Sequence, residues 1–105
     1  MRDLAIAARP LKLTDVLEAL SDPTRRYILR RLAQDDACCS SFCDLGQKTK
    51  LTYHFARLEK AGLIRRNRSG RRVILTLDRR TVNFQFPGLL NSVLKVDETD
   101  TAQLS

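Results

Sequence analysis

The chain of 105 residues is one domain by length, and its 43% apolar and 30% charged residues are ordinary for a globular protein. The longest apolar stretch near its start, Leu4 to Ala8, is too short for a secretory core or a membrane span, which points to the cytoplasm. The net charge of +7 is concentrated: Lys48 to Arg72 holds nine basic residues against one acid, Glu59, so this segment carries +8 and the remainder −1. Such a block attracts a polyanion, and nucleic acid or an anionic membrane are the partner classes it leaves open.

Leu13, Val16, Leu17 and Leu20 fall at the spacing of an amphipathic helix. Asp22 and Pro23 then suit the N-cap and first position of a second helix, which is expected to run to Ala33. Ile28, Leu29 and Leu32 would face inward there, and Arg25, Arg26, Arg30 and Arg31 largely outward. After the polar break at Gln34–Asp36, a short third helix is expected over Cys39 to Leu45, ended by Gly46. The fourth helix, Lys48 to Ala61, is the informative one. Leu51, Phe55, Leu58 and Gly62 lie within about 60° of one another and make its core face. The opposite arc holds Thr49, Lys50, Tyr53, Ala56, Arg57 and Lys60.

Leu63 to Arg68 and Arg72 to Leu77 read as two strands joined at Ser69-Gly70, with five arginines among residues 65 to 72. Pro87 can open a last helix carrying Leu89, Leu90, Val93 and Leu94 on one stripe. Residues 1–95 are thus expected to form one domain. Residues 96–105, with Asp97, Glu98 and Asp100, are expected to be an acidic tail without fixed structure.

Four helices, a basic hairpin and a closing helix give a mainly α fold with a two-stranded β-hairpin, a winged helix-turn-helix. Duplex DNA is the partner this order suits. The major groove admits one helix, whose outward side chains meet base edges, while a hairpin rich in arginine reaches phosphates or the minor groove. A membrane-surface protein would need large apolar groups beside the basic face, and here the apolar stripes are consumed by a core. With a single histidine and no phosphate loop, an enzyme is not expected.

The run Leu17-Glu18-Ala19-Leu20-Ser21-Asp22-Pro23-Thr24-Arg25-Arg26 with Ile28-Leu29 resembles the opening signature of ArsR/SmtB-type regulators. Leu51-Thr52-Tyr53-His54-Phe55, then Leu58 and Ala61-Gly62-Leu63-Ile64, is similar to their recognition helix and its exit. Arg68 to Leu77 looks like their wing, and Phe86-Pro87-Gly88-Leu89-Leu90 like the closing helix of one branch. The resemblance spans about residues 13 to 95. It implies a homodimer built from the first and last helices, binding an imperfect inverted repeat and acting as a repressor. By matching positions it implies DNA contacts from Lys48, Thr49, Lys50, Thr52, Tyr53, His54 and Arg57, with Arg68, Arg71 and Arg72 on the wing. Helical phase agrees for Thr49, Lys50, Tyr53 and Arg57, whereas Thr52 and His54 sit at the edge of the arc. His54 either bridges core and surface or meets a phosphate. Gln47 stands where the family commonly has a capping Ser or Thr.

Family members release DNA in response to metals, metalloids, oxidants or reactive sulfur. Cys38, Cys39 and Cys43 lie where the resemblance puts thiolate sites, although their spacing is not the family's usual Cys-x-Cys-Asp. Three readings stand: sensor thiols that oxidise, ligands of a soft metal or metalloid, or small apolar residues packed near the core. No cofactor is required. In an α-helix Cys39 and Cys43 would be neighbours about 5–6 Å apart at Cβ, against the roughly 3.5–4.5 Å of a disulfide, so joining them would distort the helix. The alternative to a DNA-binding regulator is a winged helix used as a protein-interaction module without an inducer site.

Overall fold

The structure is a computed structural model that describes residues 10–104, with side chains described to Thr99; the apolar stretch Leu4 to Ala8 lies outside the described residues. The chain forms α1 (Leu13–Leu20), α2 (Pro23–Gln34), β1 (Ala37–Cys38), a 3-10 helix (Cys39–Leu45), α3 (Lys48–Lys60), β2 (Ile64–Ser69), β3 (Arg72–Leu77), α4 (Arg79–Gln85) and α5 (Leu89–Leu104). The break between α1 and α2 is built as its residues dictate. Asp22 accepts from the Arg25 amide at 3.0 Å and caps α2, while Pro23 fills a position whose N–H would have no helical partner.

Val16, Ala19 and Leu20 of α1, Ile28, Leu29 and Leu32 of α2, Leu51, Phe55 and Leu58 of α3 and Leu90 and Leu94 of α5 share one core. Phe42 of the 3-10 helix is fully buried in it and meets Phe55 edge-on, with ring centres 5.8 Å apart. Leu63, Leu75 and Leu77 anchor the sheet to the same core. Leu13 and Leu17 of α1 are left about half exposed and Val96 of α5 more than half.

The expected hairpin is present, with Ser69 paired to Arg72. Its two-residue loop is Gly70-Arg71, one position later than Ser69-Gly70. Gly70 has φ +65° and no non-glycine residue of the described chain has positive φ, which fits a type II′ turn with glycine at its first central position. At the helix exit, Gly62 has φ +84°, and a Cβ there would run into the Leu11 side chain. The Leu63 amide meanwhile donates to the Leu58 carbonyl, closing α3.

Several expectations are corrected. The sheet has three strands, in the order β1-β3-β2, because Ala37 and Cys38 pair with Leu75 and Ile74. The Cys39–Leu45 segment is 3-10, not α-helical. Asp78 does end the hairpin, but it also accepts from the Thr81 amide at 3.4 Å and starts α4, which had not been expected. Arg25 is buried rather than outward, at 5% exposure. Finally, the stretch after Lys95 is helical to Leu104. Asp97 is tied to Arg26 Nε at 2.6 Å and to Arg30 Nε at 3.2 Å, so its charge meets α2 instead of solvent. Among the described residues no helix is long and apolar enough to cross a membrane.

Candidate nucleic-acid interface

The outward arc of α3 begins at Gln47, whose side chain makes no capping bond. Lys48, Thr49, Lys50, Thr52 and Tyr53 are all exposed, Tyr53 by 52%. Leu51, Phe55 and Leu58 turn inward and fix the rotation of the helix, so the expected arc is the one presented.

His54 is the exception. It lies three residues from Leu51 and four from Leu58, on the core side of the helix, and is only 5% exposed. Of its two expected roles, the structural one is what the geometry provides. Nδ1 accepts from Arg25 Nη1 at 3.1 Å, since a guanidinium can only donate; the ring proton therefore belongs on Nε2, 3.9 Å from the Asp22 carboxylate. Burial lowers the His54 pKa, Asp22 opposes this, and the Arg25 and Lys50 charges add to the lowering. The imidazole is neutral at physiological pH.

Arg25 organises this corner. Its Nε donates to the Ala19 carbonyl at 2.8 Å, and Nη2 donates to the Glu18 carbonyl at 3.0 Å and to Glu18 Oε2 at 3.3 Å. It thus serves two carbonyls at the end of α1, that of Glu18 being shared with the Ser21 amide and hydroxyl. The same Glu18 oxygen lies 3.1 Å from Arg57 Nη2. The Glu18 hydrogen bond and charge raise the Arg57 pKa, and the guanidinium stands 5.5 Å from the centre of the Tyr53 ring. Arg57 is consequently held in place beside Tyr53 before any partner arrives, with its charge partly offset by the Glu18 carboxylate. Glu18 and Arg25 were not singled out from sequence; their partners are brought to them by the α1–α2–α3 packing and follow no spacing rule.

On the wing, Arg68, Arg71 and Arg72 are exposed as expected. Two further arginines brace it. Arg65 pairs with Asp78 at 3.1 Å, and Arg66 pairs with Glu59 of α3 at 2.7 Å, which locks the hairpin beside the helix.

The three thiols occupy different settings: Cys38 is buried, Cys39 half-buried and Cys43 exposed. Ser40 Oγ donates to Cys38 Sγ at 3.2 Å. That bond, a second from the Ser40 amide and one from the Arg72 guanidinium lower the Cys38 pKa to about 7, against a smaller opposing effect of burial. Because Cys38 pairs with Ile74 on β3, this thiol sits at the base of the wing. In a 3-10 helix, with about three residues per turn, positions four apart no longer share a face, so Cys39 and Cys43 are not set for a simple bridge. Among the described residues no group of three Cys, His, Asp or Glu side chains is placed to hold a metal ion.

Comparison with known proteins agrees with this geometry. A helix-turn-helix domain family matches residues 20–67, which run from the end of α1 into the wing. No curated protein matches the chain. Among solved structures, an ArsR-like transcriptional regulator from Rhodococcus sp. RHA1 is 26% identical, with 86% of this chain and 87% of that one covered and a TM-score of 0.65. A possible transcriptional regulator for arsenical resistance is 25% identical over 74% of this chain and 82% of that one, with a TM-score of 0.62. An ArsR family transcriptional regulator shares the fold at 24% identity, covering 89% and 97% of the two chains with a TM-score of 0.63. With its matched helix-turn-helix, a wing continuing from it and these neighbours, the chain is a DNA-binding transcription regulator similar to those of the ArsR type.

Proposed function

We propose that the protein is a homodimeric repressor that binds an inverted-repeat operator and is released by a thiol-directed signal. The observation that carries the DNA reading is the arc Lys48, Thr49, Lys50, Thr52, Tyr53: five consecutive or near-consecutive polar residues, all exposed, on a helix whose rotation the core fixes. Arg57 lies on its flank, and Arg68, Arg71 and Arg72 extend the positive surface along the wing. Tyr53 and Arg57 of the helix read base edges, while Lys48, Lys50 and Thr52 and the wing arginines supply phosphate contacts.

The dimer reading is supported by apolar residues that the single chain leaves uncovered. Leu13, Leu17 and Val96 are 50%, 49% and 61% exposed, and a shallow groove lined by Leu17, Leu20, Val93 and Val96 runs between α1 and α5. A second copy related by a two-fold axis would cover both faces and present two α3 helices to successive turns of the groove. The thiol reading is supported by Cys38, whose thiolate would share Arg72 with the wing. Oxidation of Cys38 would change the charge that holds this arginine. A soft metal or metalloid bound by Cys38, Cys39 and Cys43 would need these side chains to converge.

Selection of binding duplexes from a random pool, followed by footprinting, tests this function. The expected result is an imperfect inverted repeat with half-sites about 10 bp apart, centre to centre. Sedimentation should give a dimer at micromolar concentration, and Leu17→Glu with Val96→Glu should give a folded monomer with poor DNA affinity. Peroxide should lower operator affinity and dithiothreitol restore it; arsenite tests the soft-ligand form of the same signal. A native monomer, or a single unrepeated site, would overturn the dimeric reading.

A further inference from the structure

A cleft of about 530 Å³ opens between the 3-10 helix, the first half of α3 and the base of the wing. Its volume is that of a small-molecule site. Leu51, Phe55 and Val73 give it an apolar wall, Lys48 and Arg66 are its charged groups, and no carboxylate lines it. Arg66 is already paired with Glu59, which leaves Lys48 as the principal cation offered to an occupant. Lys48 also stands in the first turn of α3, whose cap residue Gln47 contributes no side-chain acceptor to the opening amides. Thr52 supplies a hydroxyl on the same wall, and Cys39 and Cys43 add polarisable sulfur.

We propose that this cleft binds a small organic anion with a flat or extended apolar body, such as an aryl carboxylate or sulfonate. The apolar body would lie against Leu51, Phe55 and Val73, where it leaves water without stranding a polar group. Its charged end would sit at Lys48, the only position on the lining where a cation is not already matched by an acid. A cation or a neutral polyol finds neither an acid nor a sufficient set of polar partners there. Lys48 and Thr52 belong both to this cleft and to the proposed DNA face, so an occupant and a phosphate backbone compete for the same side chains. This second consequence rests on the DNA reading given above; the binding itself does not.

The test uses 8-anilinonaphthalene-1-sulfonate as the probe, an aryl anion whose emission rises on transfer from water to an apolar site. Saturable binding to the full chain is expected. The bound probe should also slow iodoacetamide alkylation of the exposed Cys43, read by mass spectrometry against Cys38 as the internal reference. Lys48→Glu should weaken binding at least about tenfold, since it replaces a matched charge by a like one. Cys43→Trp, at an exposed position that fills the cleft mouth, should abolish it while leaving the circular dichroism spectrum unchanged. Probe binding that leaves Cys43 alkylation at its original rate, or that both variants retain, would overturn the site. Duplex DNA bound by the protein should displace the probe; protection of Cys43 without displacement would keep the site and overturn the competition. Failure to bind any duplex would overturn the DNA reading alone, because the fluorescence and alkylation measurements contain no DNA.

Discussion

Replacing Arg25 by Met keeps most of the side-chain volume and removes the guanidinium donors from the corner where α1, α2 and α3 meet. The wild-type guanidinium serves the Ala19 carbonyl at 2.8 Å, His54 Nδ1 at 3.1 Å and the Glu18 carbonyl at 3.0 Å. The Glu18 carbonyl retains the Ser21 amide and hydroxyl as donors, so it is not orphaned. Two acceptors lose a buried partner, and each costs about 1–3 kcal/mol. The expected loss is therefore about 2–6 kcal/mol, with about 4 kcal/mol as the central figure. For a domain of this size, about 4 kcal/mol lowers Tm by roughly 16–32 °C. Thermal melts followed by circular dichroism at fixed protein concentration measure this directly. A double-mutant cycle with His54→Leu separates the shared bond from the rest and should show a coupling of about 1 kcal/mol or more. A Tm within a few degrees of wild type, or strictly additive costs, would refute the account of this corner.

Acid should destabilise the fold through His54. Its folded pKa lies below the unfolded value of about 6.5, so the unfolded chain takes up the proton first and stability falls as pH drops from about 6.5 toward the folded value. Denaturant melts at several pH values between 7.5 and 5.5 should show this slope, and His54→Gln should flatten it; an unchanged slope in the variant would assign it elsewhere. For Cys38, the pH profile of alkylation should have its midpoint near 7, and Arg72→Ala should move that midpoint upward. Peptide mass spectrometry reads both, and a midpoint near 8.5 in the wild type would remove the argument for a primed thiol.

What was legible in the sequence was whatever is fixed within a few residues. Asp22-Pro23 marks the start of α2 because capping and the absent proline N–H are local effects. Leu51, Phe55 and Leu58 fix the rotation of α3, and with it most of the DNA-facing arc. Gly70 fixes the hairpin. Several of the misses involve a partner on another element. Arg25 has a charge that periodicity sends outward, yet the end of α1 offers it two backbone carbonyls and α3 offers His54, and these partners draw it inward. Asp97 reads as part of an acidic tail until Arg26, 71 residues earlier, is brought against it. His54 sits at the edge of the polar arc, where one hydrogen bond from Arg25 decides which way it belongs. The cysteine spacing likewise gives no sign that Cys39–Leu45 is a 3-10 helix that places Phe42 against Phe55.

The most direct test of the central claim is the salt dependence of binding to the selected operator. If Lys48, Lys50, Arg68, Arg71 and Arg72 meet the backbone in both protomers, roughly ten phosphates neutralised per dimer give a log–log slope of about −9. Arg71→Ala with Arg72→Ala should reduce the slope and weaken all duplexes alike, whereas Tyr53→Ala should leave the slope and lower the preference for the operator by about 1–3 kcal/mol. A slope near zero, or wing variants that change sequence preference at constant affinity, would contradict the account.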